Sequence, residues 1–177
     1  MVTKLRVKFL NKNTPPHIFT LIALSGLGAL SLSIFLSSIL EMSIFFNKSY
    51  ALMQLSISLY LLSTAIFQII AGPLSDKFGR RLITLSSVIM FILASLGCFF
   101  STQFELFIFF RILQASVAAG FLMSRVIIRD ITSESEAASM IGYVTMGMSI
   151  IPLFAPGFGG LIPVSYTHLT LPTIYSV

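Results

Sequence analysis

The chain has 177 residues, 56% of them hydrophobic and 10% charged, whereas an ordinary soluble domain carries roughly 25% charged residues. That composition argues against a water-soluble fold and makes the apolar span of about 20 residues the natural unit of counting. The net charge of +5 sits in short basic clusters between apolar runs, not on a basic arm or an amphipathic face, which argues against nucleic acid and for membrane topology.

Residues 1–17 carry Lys4, Arg6, Lys8 and Lys12, as the start of a signal peptide would. The apolar run that follows, 18–40, is too long for a cleavable core and has no small-residue cleavage site before more spans begin. It is the first of five expected transmembrane helices, at about 18–40, 51–71, 82–100, 106–128 and 137–162. Runs this long and continuously apolar are helices, because lipid offers the backbone no hydrogen-bond partners. The basic residues divide unequally between the two sides. Lys77, Arg80 and Arg81 follow the second span, and Arg125 and Arg129 flank the end of the fourth, on the same side as the N-terminal cluster; the other side has only Lys48. The positive-inside rule therefore places the N-terminus in the cytoplasm. Small and hydroxyl residues fill the first span (Ser25, Gly26, Gly28, Ser31, Ser33) and the fourth (Ala118, Ala119, Gly120), and such residues let helix backbones approach closely. Cys98 is the only cysteine, so no disulfide framework or cysteine metal site is expected.

Between the second and third spans runs Gly72-Pro73-Leu74-Ser75-Asp76-Lys77-Phe78-Gly79-Arg80-Arg81. Gly72 and Pro73 are expected to end the second helix and Gly79 to permit a tight turn, leaving a short, stiff, charged hinge. Early in the fourth span, Arg111 and Gln114 share a helix face. An arginine at that depth needs a cavity or a partner unless it snorkels to the surface. The fifth span holds Pro152, Pro156, Gly157, Gly159 and Gly160, which weaken a helix and permit bending or close packing. Ser56, Tyr60, Ser63 and Phe67 follow helical spacing in the second span and are candidates either for a cavity wall or for plain packing.

The hinge pattern, in that position, resembles the signature loop of the major facilitator superfamily. The resemblance implies a twelve-helix transporter of which this chain holds the first five spans, residues 18–162. It also implies a charge cluster of Asp76, Arg80 and Asp130, with Arg129 beside it, that latches the two halves of the transporter. Arg111-Ile112-Leu113-Gln114 resembles the Arg-x-x-Gln motif of proton-coupled antiporters, where the arginine is implicated in proton transfer, and the fifth span resembles their antiporter motif. Together these are similar to the Bcr/CflA drug-resistance branch. A drug:proton antiporter of the bacterial inner membrane is thus expected, with a drug-like or hydrophobic small molecule, protons and the lipid bilayer as its partners and no cofactor. One departure stands out. Ser33 occupies the place where that branch carries an acid, and a serine cannot cycle a proton near neutral pH.

Other readings are a facilitator-type carrier for another small molecule, a non-transporting fragment that assembles with a partner, and a membrane-embedded enzyme. An enzyme needs converging catalytic groups at depth, and the expected spans hold no His and no Asp. Residues 163–177 read differently from the rest. Val164 to Thr173 is similar, residue for residue, to a translated transposase-based sequencing adapter, so native sequence is expected to stop at about Ile162 or Pro163.

Overall fold

The computed structural model describes residues 16–170, and side chains as far as Phe154. The basic cluster of Lys4, Arg6, Lys8 and Lys12 and the last part of the expected tail, 171–177, lie outside the described residues.

The described elements are all helices: α1 (Ile18–Phe45), α2 (Tyr50–Phe78), α3 (Arg80–Phe100), α4 (Phe104–Gln114), α5 (Val117–Ile131) and α6 (Glu134–Thr170). With α4 and α5 taken as one span, five helices are long and apolar enough to cross a membrane. This is an all-α multi-pass membrane protein, as the apolar runs require. The helices overrun the expected spans because apolar counting stops at the hydrocarbon edge while backbone hydrogen bonding continues into the interface. The 28 residues of α1 rise about 42 Å at about 1.5 Å per residue, against about 30 Å of hydrocarbon.

Local signals set most of the ends. His17 Nδ1 accepts from the Phe19 amide (3.2 Å) at the start of α1, and Ser49 Oγ accepts from the Leu52 amide (3.4 Å) at the start of α2. At α6, Glu136 reaches back to the Ser133 amide (3.4 Å) and hydroxyl (2.9 Å), the returning half of a capping box. Three expectations need correction. First, α2 does not stop at Gly72 and Pro73 but runs on to Phe78. Proline removes one backbone donor, a loss that a membrane helix tolerates. The stop comes at Gly79, whose φ of 91° and ψ of 146° favour a residue without Cβ. Second, the fourth span is not one regular helix. At Ala115 and Ser116 the ladder tightens to i→i+3 bonds, Ala115 to Ile112 (3.2 Å) and Ser116 to Leu113 (3.0 Å), which is 3₁₀ geometry. Third, α6 remains helical through Pro152, Pro156 and Pro163 as far as Thr170, past the expected end at 162.

The α4–α5 span is central: 56% of its apolar window is buried, against at most 33% in the other spans. Three apolar clusters hold it. Leu21 and Ile128 pack with Ala137 and Val144, Ala71 and Ile83 with Ala119 and Met123, and Phe35 and Ile39 with Met53 and Phe107. Buried hydroxyls join the helices between these clusters. Ser25 Oγ and Ser124 Oγ are 2.7 Å apart across α1 and α5, and Ser116 Oγ donates to the Ser87 carbonyl of α3 (3.2 Å). In a dry bundle such bonds and close backbone packing replace the hydrophobic effect as the source of helix association.

Candidate functional site: a buried arginine and a charged cluster

Arg111 lies seven positions into α4, about 10 Å along the helix, and only 4% of it is exposed. A cation at that depth costs at least about 2.5–3.5 kcal/mol on insertion scales, and the fold meets this cost with aromatic faces and hydroxyls. The guanidinium carbon lies 4.3 Å from the Phe35 ring centroid and 4.4 Å from that of Tyr60. Each contact of this kind offsets roughly 0.5–2 kcal/mol. Nη1 donates to Ser31 Oγ (3.1 Å) and to Gln114 Oε1. Gln114 Nε2 in turn donates to Ser95 Oγ (2.8 Å), whose own hydroxyl donates to the Phe91 carbonyl (2.7 Å). Helices α1, α2, α3 and α4 therefore converge on the Arg111–Gln114 pair.

A cavity of about 290 Å³ adjoins it, lined by Arg111, Gln114 and Ser31 together with apolar groups including Leu27, Ile34, Phe91 and Phe107. Arg111 does not snorkel to the surface; it faces this cavity. Ser33, the residue in the expected acid's place, makes no side-chain hydrogen bond with Arg111, whose α1 partners are Ser31 and Phe35. Those two are four residues apart and share a helix face, whereas positions two apart do not. From sequence alone Ser31 reads only as a small packing residue. Tyr60 was a candidate for a cavity wall, but its stacking on Arg111 could not be read from spacing within one helix.

At the Arg80 end of the bundle, Arg80 ties α2, α3 and α5 together. Its Nη1 donates to Asp76 Oδ1 and Ser75 Oγ (both 2.5 Å), and its Nε donates to Asp130 Oδ2 (3.2 Å). Ser75 is buried, and its hydroxyl donates to the Gly72 carbonyl (2.7 Å), so the charge cluster is anchored on the last turns of α2. Arg81 and Arg129 are exposed and join no ion pair among the described residues. Gly72 has open space where a Cβ would go, so its role is not close packing. At the opposite end, Lys48 and Glu105 approach to 3.8 Å.

In α6 the close approach falls before the prolines. Ile22 of α1 sits on Gly147, where a Cβ would come within 2.9 Å of it, and Ile151 sits on Gly26 of α1. The two contacts have the same offset, so α1 and α6 run in parallel register with each isoleucine filling the other helix's glycine notch. Pro152 is half-buried. Pro156, Gly157, Gly159 and Gly160 lie beyond the described side chains. Among the described residues no group of three or more His, Cys, Asp or Glu could hold a metal ion.

Residues 16–172 match the Major Facilitator Superfamily. The chain belongs to that transporter family. Among curated relatives it is 34% identical to the uncharacterized MFS-type transporter YdgK of Bacillus subtilis (strain 168), over 81% of this chain and 36% of that protein. It is 30% identical to a chloramphenicol resistance protein of Pseudomonas aeruginosa (77% and 33% of the two chains). It is 27% identical to multidrug resistance protein D of Escherichia coli (strain K12) (82% and 37%). The chain thus spans about a third of the length of the curated relatives it matches. No solved structure gives a significant match.

Proposed function

We propose that this chain supplies five spans of a drug:proton antiporter of the bacterial inner membrane, with its N-terminus in the cytoplasm and a small hydrophobic compound as the exported substrate. The observation that carries this reading is the buried Arg111–Gln114 pair on a cavity between α1, α3 and α4. The names of two relatives, a chloramphenicol resistance protein and a multidrug resistance protein, support drug export. In this reading Arg80, Asp76 and Asp130 form the cytoplasmic latch, and the α1–α6 seam keeps the cavity wall rigid while the bundle tilts. Residues 163–177 are assigned to adapter-derived sequence, and a long read through the genomic locus tests that assignment. Divergence near Pro163 supports it, and a stop codon directly after Val177 defeats it.

A second reading, a carrier of another small molecule without this proton coupling, is favoured by the serine at position 33 and by the lack of a carboxylate among the described hydrogen-bond partners of Arg111. Everted vesicles carrying the complete transporter separate the two. Drug addition should release protons from acidified vesicles, and Arg111→Ala should abolish that release. Drug uptake without proton movement would remove the proton coupling of the first reading, and uptake of another small molecule with no uptake of any tested drug would establish the second.

A further inference from the structure

Arg111 has no carboxylate partner among the described residues. Its Nε and Nη2 are buried and have no hydrogen-bond partner among the described residues, while Nη1 is engaged by neutral oxygens of Ser31 and Gln114. A guanidinium stays charged at any physiological pH, so the cavity beside it holds a permanent cation. The six acids of the whole sequence are Glu41, Asp76, Glu105, Asp130, Glu134 and Glu136. Four of these stand at the Arg80 end of the bundle. The other two stand at the opposite end, Glu41 exposed near the close of α1 and Glu105 exposed in the first turn of α4. None lines the cavity.

We infer that this cavity binds an amphipathic organic anion, a carboxylate on an aromatic or branched apolar body, with the carboxylate on the free edge of Arg111. The inference rests on the transport reading and names the substrate class of that same site. Two free N–H groups on one planar guanidinium match the two oxygens of a carboxylate. Polar atoms left unpaired in a dry site carry a desolvation cost, which a ligand relieves if it supplies acceptors. The remaining wall is apolar, with Leu27, Ile34, Phe91 and Phe107 facing the space. A cavity of about 150 Å³ already takes benzene, so one of about 290 Å³ accommodates a ring together with its carboxylate. A cationic amphiphile would meet the like charge of Arg111, and none of the six acids of this sequence lines the cavity to offset it.

The test uses the complete transporter in lipid nanodiscs, with calorimetric titration of benzoate, benzyl alcohol and benzylammonium and subtraction of empty discs. Benzoate is expected to bind at least about tenfold more tightly than either of the others, a difference of about 1.4 kcal/mol. Arg111→Ala should erase that preference, Arg111→Lys should keep its sign, and Ser31→Asp should abolish it by placing an internal carboxylate on the guanidinium. Circular dichroism checks that each variant keeps its helices, and the wild-type ranking decides the matter even where a variant does not fold. Equal binding of the three probes, a preference for benzylammonium, or a preference that survives in folded Arg111→Ala overturns the inference. Failure of the transport reading is distinguishable. Export by the complete protein without any anion preference removes only this inference, whereas benzoate binding without export removes only the transport reading.

Discussion

Arg80 Nε lies 3.2 Å from Asp130 Oδ2, so one hydrogen bond ties the first residue of α3 to the end of α5 across fifty positions of sequence. The pair is open to water, and exposed ion pairs contribute little to stability. In the transport reading proposed above, it would link helices whose relative tilt changes in an alternating-access cycle. Asp130→Ala should therefore leave the melting temperature of the chain unchanged while slowing transport by the complete protein about threefold or more, and the swap Arg80→Asp with Asp130→Arg should recover part of the rate. Rates for the two single variants and the double variant check this. Additive effects in that cycle would mean that the bond has no part in the transport step.

The α1–α6 seam makes a stability prediction instead. Gly147→Leu drives a side chain into Ile22, and Gly26→Leu drives one into Ile151. Overpacking of this kind costs typically about 1–3 kcal/mol, so both variants should lower the thermal midpoint measured by circular dichroism in nanodiscs. Gly72→Ala is the matched control. A Cβ there meets open space, and alanine favours an α-helix over glycine by about 1 kcal/mol, so that midpoint should hold or rise.

These contrasts also mark how far the sequence could be read. The five spans and their order were legible because lipid permits few alternatives to a long apolar helix. The ends were less so. Pro73 looked like a stop, but the loss of one hydrogen bond is small against a continuous helix, and the positive φ of Gly79 decided the boundary. The site was legible in part. Arg111 and Gln114 share a face of one helix, which spacing alone predicts. That Ser31, Phe35 and Tyr60 surround the guanidinium is a matter of how α1 and α2 rotate against α4, and single-helix periodicity carries no such information. The break at Ala115 and Ser116 was hidden for a similar reason. Both residues suit a regular helix, and the tightening coincides with the tertiary bond from Ser116 to the Ser87 carbonyl.

The side of the membrane on which the Arg80 cluster stands can be measured directly. Phe78 is 55% exposed at the end of α2, and Lys48, in the loop between α1 and α2, lies at the opposite end of the bundle. In a Cys98→Ser background, Phe78→Cys in intact cells should resist an impermeant maleimide, and Lys48→Cys should react with it. Reversal of the two labels would overturn the orientation while leaving the helix packing untouched.

The last prediction concerns where an acid on α1 would act. Drug exporters of the branch this sequence resembles carry their acid at the place of Ser33, yet in this bundle the α1 side chains that touch Arg111 are Ser31 and Phe35. Residues two apart on a helix point about 160° away from each other, given about 3.6 residues per turn. Ser31→Asp should therefore pair with the guanidinium, whereas Ser33→Asp should leave Arg111 as it is. In the complete transporter Ser31→Asp should lower export of anionic compounds about tenfold or more, by the measure that 1.4 kcal/mol is a factor of ten, and Ser33→Asp should change it less than twofold. The two variants add the same charge to the same helix, so a general effect of a membrane acid on folding or insertion would depress both alike. Export assays with benzoate-like and neutral substrates, scored against the surface abundance of each variant, read the difference. If Ser33→Asp is the more damaging of the two, α1 is rotated in the working transporter relative to this structure, and Ser33 is the residue that faces Arg111.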